Sequence, residues 1–297
     1  MSVLANIRQQ PTLAYYYAQK AVRNNTLRAG LGSLVTAVAG LRPARPSPQP
    51  QGDDMARALR EDGVGFLPAG TLSPQAVASV HAHLKGRPVI DQYDGVSAYD
   101  IDGPIPRTST KLYYRSEDLL GCAQLVALAN SPLVLDAVGA VLGTRPTIAS
   151  FQAWWTLGEH YGGQIHFDDA YHRDVDDLRF VKLFAYLTDT SERNGAHSFV
   201  RGSHRSAQFT RRGSISDEDI RASFPAQDIL TMTGKAGTVF LEDTWGIHRP
   251  LLATEGRRLI FSVLYALTPW VPQGPGEPTM PLPQGLDPWV NRALFRV

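Results

Sequence analysis

"GTVFLEDTWGIHRPLLATEGRRLIFSVLYAL", residues 237–267, decides the fold. A short β-rich run ends in Glu242 and Asp243, a histidine follows at position 248, a turn passes through Gly256, and a longer β-rich run returns from Arg257. Runs dense in β-branched and aromatic residues, divided by Gly, Asp and Asn, read as antiparallel strands. The same texture recurs upstream in "TIASFQAWWTL" (147–157), "FVKLFAYLTD" (180–189) and "HSFVRGSH" (197–204). Several such runs at close spacing indicate an antiparallel sandwich or barrel, not a parallel α/β sheet. The class is mostly β with flanking helices. The helices are expected in residues 55–86, around a short strand at 64–67 and with Pro74 in the first turn of the second helix, and in residues 116–143. "SISDEDIRASFPAQDI" (214–229) reads as a helical insertion with Ser216 as N-cap and Asp219 at the third helical position.

The chain of 297 residues can bury a core of ordinary size, and its formal charge is +1. That balance hides an asymmetry: residues 1–50 hold six Arg or Lys and no acid, so the body is mildly acidic, which argues against a nucleic-acid surface. The leader reads as a helical arm packed on the body or on a partner subunit, with peripheral contact to an anionic membrane as the alternative. It is expected to be dispensable for chemistry. "RPARPSPQPQGDD" (42–54) reads as an extended linker. The domain plan is therefore an arm and linker over 1–54, a folded body over 55–270 and a Pro-rich tail over 271–297. The single cysteine, Cys122, excludes an intramolecular disulfide and any multi-cysteine metal site, consistent with a cytoplasmic protein.

"HFDDAYHRDVDD" (166–177) gathers two His and five Asp where neither a solvated acidic loop nor an apolar core would need both. His-x-Asp occurs in it twice, at His166/Asp168 and at His172/Asp174. In a strand, positions i and i+2 share a face, so either pair delivers an imidazole and a carboxylate to one point. His248 is the candidate third ligand. Two His and one carboxylate leave coordination positions open, the arrangement of non-haem Fe(II) oxygenases. A dicarboxylate cosubstrate chelating such a metal needs a cation for its far end. Arg258 opens the returning strand, with Ser262 on the same face; Arg257 is the competitor and points the other way.

With these residues in place, the chain resembles the Fe(II)- and 2-oxoglutarate-dependent oxygenases, and more narrowly the phytanoyl-CoA dioxygenase family. "YLTDTSERNGAHSFVRGSH" is similar to that family's strand, Asn-Gly turn, strand and Gly-Ser-His passage, and "LREDGVGFLPAGTLS" to its entry segment. "YHRDVDDLRFVKLFAYLTD" is similar to a branch in which His-Arg-Asp precedes a Lys-containing strand, which favours His172 and Asp174 over His166 and Asp168. The resemblance spans roughly 55–270. It implies a double-stranded β-helix, a cupin-like jelly roll, with Fe(II) as cofactor and 2-oxoglutarate and O2 as cosubstrates. It also implies oxidation of a small organic substrate such as a secondary metabolite, lipid or sugar. An aspartate at the third ligand position favours hydroxylation over halogenation. Two other classes remain: a cupin enzyme working without 2-oxoglutarate, which would have no need of Arg258, and a catalytically silent binding protein, which would keep the fold and lose the ligands, although all of them are present in the sequence.

Other candidates carry plainer expectations. His197 and His204 read as turn-ordering residues, Glu242 and Asp243 as solvated or capping acids, and Lys111 as a surface lysine. Asp176, Asp177 and Arg179 read as a loop held by ion pairs. Trp154, Trp155 and Trp245 read as core or as the wall of a substrate cavity. A homodimer is a further expectation.

Overall fold

The structure is a computed structural model that describes residues 11, 13–38, 50–93, 95–160, 170–211, 213–271 and 278–297. The chain begins with three helices, α1 (Leu13–Ala21), α2 (Asn25–Val38) and α3 (Pro50–Glu61), followed by strand β1 (Val64–Phe66) and helix α4 (Pro74–Leu84). Ser73 caps α4, its hydroxyl accepting from the Ala76 amide at 3.1 Å, with Pro74 in the first turn as expected. α3 corrects the linker expectation. Residues 50–54 are helical because Met55, Ala56 and Leu59 give the segment an apolar stripe that it buries; residues 41–49 lie outside the described residues.

Next come β2 (Val89–Asp91), β3 (Ala98–Tyr99), β4 (Lys111–Tyr114), and helices α5 (Ser116–Leu120), α6 (Ala123–Ala129) and α7 (Pro132–Leu142). The stretch 123–142 has the length and hydropathy of a membrane span, yet it breaks at Asn130–Ser131 and packs Leu125, Val126, Val134, Val138 and Leu142 into the core. The β-rich half then follows: β5 (Thr147–Leu157), β6 (Phe180–Tyr186), β7 (His197–Val200), helix α8 (Asp217–Ser223), β8 (Ile229–Met232), β9 (Val239–Glu242), β10 (His248–Pro250) and β11 (Arg257–Ala266). A one-turn helix, α9 (Pro288–Asn291), lies in the tail, whose Val290, Leu294 and Phe295 are buried in the main core.

The strands form two antiparallel sheets, a large one ordered β1-β9-β6-β11-β5-β4-β2-β3 and a small one ordered β10-β7-β8. Reciprocal bridges at His172–His248 and Tyr171–Ile215 extend the small sheet. This is the expected jelly roll with flanking helices. The pleat divides the large sheet's side chains cleanly. Odd positions of β6, β9 and β11, among them Val181, Leu183, Leu241, Leu259, Phe261, Val263 and Tyr265, pack under the helices. Even positions, Lys182, Phe184, Arg258, Ile260, Ser262 and Leu264, face the opposite side and line a cavity. A β-bulge between Leu264 and Tyr265 adjusts the register against β5 at its far end.

One turn anchors the β5–β11 pair. A Cβ on Gly158 would stand 2.5 Å from the Glu255 carbonyl oxygen, so only glycine lets the two segments close there, and the Gly158 amide donates to Gly256 at 2.9 Å. On the helix side of the sheet, Phe261 meets Phe151 edge-to-face at 4.8 Å, both fully buried. Phe261→Ala is expected to lower unfolding free energy by about 3 to 5 kcal/mol, measured by urea denaturation, through the lost burial and the void left behind.

Candidate metal and cosubstrate site

Main-chain pairing builds the candidate metal cluster. The His172 amide donates to the His248 carbonyl and the His248 amide to the His172 carbonyl, both at 3.0 Å, and the Asp174 amide donates to Thr244 at 2.9 Å. The pairing places the two imidazoles 4.5 Å apart and puts Asp174 between them, its Oδ1 3.7 Å from His172 Nε2 and its Oδ2 3.5 Å from His248 Nε2. His172 Nδ1–H donates to the Ala170 carbonyl at 2.8 Å and His248 Nδ1–H to the Gly246 carbonyl at 3.0 Å. Because each Nδ1 holds its proton against a carbonyl, the Nε2 lone pairs are the ones presented to Asp174. The donor set therefore suits a divalent cation: two oriented nitrogens and a carboxylate with ligand atoms within 4.8 Å of one another.

The electrostatics agree. Burial, together with the neighbouring His248, pushes His172 down to about 4, so it stays neutral. Burial is also the largest influence on Asp174 and would raise it, but Lys182 and the two imidazoles outweigh that and hold the carboxyl well below its usual range. On His248, burial works downward, yet Asp174 and Glu242 raise it, so the position attracts positive charge.

Lys182 marks the Lys-containing strand of the motif, but motif reasoning gave it no role in the site. Its ammonium reaches Asp174 Oδ2 at 2.7 Å and Asp176 Oδ2 at 2.9 Å, and the two carboxylates keep it raised despite burial. Burial, and then the charge of Asp174, push Asp176 upward. The signal was present in the sequence: a lysine inside the apolar run "FVKLFAY" must find an anion if that strand is buried.

The cluster lies in a cavity of about 360 Å³ that is also lined by Arg258 and Ser262. Arg258 is almost wholly buried; one Nη donates to the Gly195 carbonyl and the other to Thr156 Oγ1 at 2.9 Å. Gly195 sits at φ +94°, a left-handed conformation that closes the Asn194–Gly195 turn. Arg257 points outward, its Nη1 donating to the Ile101 carbonyl at 2.6 Å. Lys111 is corrected from the surface to the interior. It is 3% exposed, lines the same cavity and pairs in register with Thr156, which in turn pairs with Arg258, so two cations flank one threonine across β4, β5 and β11.

Glu242 and His197 are also corrected. Because β9 lies inside the large sheet, between β1 and β6, Glu242 at its end is fully buried instead of solvated, and His197 faces it at 3.0 Å. The His197 ring stacks on His248 at 5.3 Å. His197, Glu242 and His248 are close enough for a second metal set, but His248 Nδ1 already gives its proton to Gly246, so that nitrogen offers no lone pair. His204 keeps its expected ordering role, meeting the Arg60 carbonyl at 3.1 Å, and Asp243 its capping role, accepting from the Trp245 amide at 3.0 Å. The loop after the ligands is only partly ion-paired. Asp176 pairs with Lys182, whereas Asp177 accepts from Tyr15 and Thr268, and Arg179 donates to Ala29, Ser33 and Leu142. Trp154 stacks on Tyr113 at 5.3 Å as cavity wall, while Trp155 packs on the helix side. His166 and Asp168 lie outside the described residues.

The profile of the phytanoyl-CoA dioxygenase family matches residues 65–250. The chain belongs to that family. The family is one of Fe(II)- and 2-oxoglutarate-dependent oxygenases, which use O2, and its profile covers all three clustered ligands but ends before Arg258. Two solved structures of the non-heme alpha ketoglutarate dependent epimerase SnoN from nogalamycin biosynthesis share its fold. One aligns with TM-score 0.51 at 18% identity over 72% of this chain and 81% of that one. The other, in complex with Fe3+, alpha ketoglutarate and nogalamycin RO, aligns with TM-score 0.50 at 18% identity over 72% and 82%. No curated protein matches the sequence.

The Lys182 pairing generates a test. Lys182→Met removes the cation from two half-buried carboxylates and is expected to destabilise the metal-free protein by on the order of 3 kcal/mol. A divalent metal restores the missing positive charge, so the rise in Tm on adding Mn(II) should be larger in Lys182→Met than in wild type; calorimetric scans with and without metal measure both.

Proposed function

We propose that the protein is an Fe(II)- and 2-oxoglutarate-dependent oxygenase that hydroxylates a small organic molecule. In this reading His172, Asp174 and His248 hold the iron, and Arg258 with Ser262 receives the far carboxylate of 2-oxoglutarate. The observation that carries it is that one cavity is lined by both a two-His, one-carboxylate set and a buried arginine of the returning strand. When bound there, iron supplies the activation of O2 coupled to oxidative decarboxylation of 2-oxoglutarate to succinate and CO2.

The chain's own residues supply position and environment. Gly246 and Ala170 fix the tautomers of the ligating imidazoles, and Lys182 holds one oxygen of Asp174 so that the carboxylate keeps a single orientation. Arg258, held by Gly195 and Thr156, presents its guanidinium without further reorganisation, and Lys111 adds a second positive charge along the same row. Trp154, Tyr113 and Phe184 line the cavity and exclude water, while Gln92 and Gln152 offer polar contacts. This mixture and the modest volume support a compact substrate such as a secondary metabolite, lipid or sugar. A single, buried Cys122 supports a reducing, cytoplasmic setting. We assign any membrane contact or self-association to the outward face of α2, where Leu27, Leu34 and Val38 are exposed.

Succinate release, followed across a metabolite library with Fe(II) present, tests the activity; Asp174→Ala should abolish it while circular dichroism stays unchanged. The cosubstrate assignment has its own test. Losing one partner of a desolvated Arg–carboxylate pair costs on the order of 2 to 5 kcal/mol. Arg258→Ala should therefore raise half-saturating 2-oxoglutarate by roughly 30-fold or more. Arg258→Lys should recover only part of the loss, and Arg257→Ala should change little, read from the anaerobic Fe(II)–2-oxoglutarate absorbance. An unchanged affinity in Arg258→Ala would favour a cupin-type enzyme that does not use 2-oxoglutarate.

A further inference from the structure

The basic leader, expected to be dispensable, is fastened to both segments that carry the metal ligands. The first is the run that continues from Asp174. Gln19 Nε2 donates to the Val175 carbonyl at 2.6 Å, the Tyr15 hydroxyl donates to Asp177 Oδ1 at 2.6 Å, and the Arg28 guanidinium donates to the Asp177 carbonyl. Asp177 is itself fully buried; its other oxygen accepts from the Thr268 amide at 2.9 Å, so one carboxylate ties the arm, the ligand loop and the exit of β11 together. The second segment leads into His248. Trp245 Nε1 donates to Asn25 Oδ1 at 2.9 Å, and the Arg28 guanidinium lies over the Trp245 ring at 4.0 Å.

Arg173, between the ligands His172 and Asp174, completes the arrangement. Its guanidinium lies 5.5 Å from the same indole and donates to the Trp245 carbonyl at 2.5 Å. Trp245 therefore contacts one arginine from the arm and one from the His-Arg-Asp motif. Gln19 and Arg28 are each only 3% exposed, a burial that a loosely attached leader would not show. Further along α2, a Cβ on Gly32 would stand 2.9 Å from Arg179 Nε, and Arg179 donates to the Ala29 carbonyl at 2.7 Å, so the Arg179 side chain lies against the helix. All of these arm residues precede the family-matched region.

We infer that α1 and α2 are a positioning element of the metal centre, in which Tyr15 and Arg28 hold the Asp174-bearing and His248-bearing segments in ligating geometry. The inference rests on the metal-ligand assignment above. Groups that orient the ligands of a metal from outside typically change its affinity by roughly 10- to 100-fold when removed. An arm that only covered apolar surface would change stability and leave affinity alone.

The test is the dissociation constant of Mn(II), without cosubstrate, measured by titration calorimetry on the full-length protein and its variants. Arg28→Met keeps the aliphatic stem over Trp245 and removes the donors; it should weaken Mn(II) binding by roughly tenfold or more. Tyr15→Phe keeps the ring, which meets Trp270 edge-to-face at 5.4 Å, and should weaken binding by roughly three- to tenfold. Leu34→Ser, on the exposed face of α2, should match wild type. Should Arg28→Met fail to fold, Tyr15→Phe decides alone. Affinity within twofold of wild type in the folded variants, even with a lowered Tm, would overturn the inference and leave the arm a purely structural cover. The ligand assignment is judged separately by Asp174→Ala: binding lost there but intact in the arm variants sinks only the present inference, whereas wild type without Mn(II) affinity sinks both.

Discussion

Two reciprocal hydrogen bonds between the main chains of His172 and His248 are what the rest of the site depends on. They join segments 76 positions apart and bring two imidazoles to 4.5 Å without any side chain having to pull them together. A two-residue step along an extended segment then presents Asp174 on the same side. Side-chain contacts refine that geometry: carbonyls at Ala170 and Gly246 set the tautomers, and Lys182 steadies the carboxylate. The relative placement of the two imidazoles thus starts from main-chain pairing at a single bridge beside β10.

A second constraint is the large sheet's division of labour. Its odd-numbered positions in β6, β9 and β11 are committed to the helices and the even-numbered ones of β6 and β11 to the cavity, so polar and charged groups can be buried on one face while an apolar core fills the other. Burying Arg258, Lys111 and Glu242 and half-burying Lys182 on one face costs desolvation energy that apolar residues would not. The offset comes from mutual pairing, as between Lys182 and Asp174, and from main-chain acceptors such as Gly195 for Arg258. Concentrating that cost in one cavity is the mark of a site selected for chemistry more than for stability. The arm belongs to the same logic, since the segments carrying Asp174 and His248 leave the sheets within a few residues and need outside support.

Several features were legible in the residues themselves. The β-rich runs marked the strands at 147–157 and 257–266 nearly to the residue, because β-branched and aromatic residues dominate them and turn residues bound them. The serine–proline start at Ser73 and the insertion capped by Ser216 announce themselves through local chemistry that needs no distant partner, whereas the helical region 116–143 divides into three helices, the last capped by Ser131. That Arg257 and Arg258 take opposite faces follows from the period of two alone, whereas which of them points inward was decided by the packing.

What the sequence by itself determined, then, is whatever depends on neighbours along the chain: strand and helix identity, the shared face of His172 and Asp174, and the shared face of Arg258 and Ser262. Only the tertiary structure decided which distant groups meet. It turned Lys111 and Glu242 from apparent surface residues into buried ones, because β4 and β9 lie inside the large sheet and not at its edge. It began a helix at Pro50 inside an apparent linker and laid α1 and α2 against the ligand-bearing loops through Asp177 and Trp245. The physical reason is common to these cases: whether a polar residue is solvated or buried is set by the element packed over it, and that element lies far away in the chain.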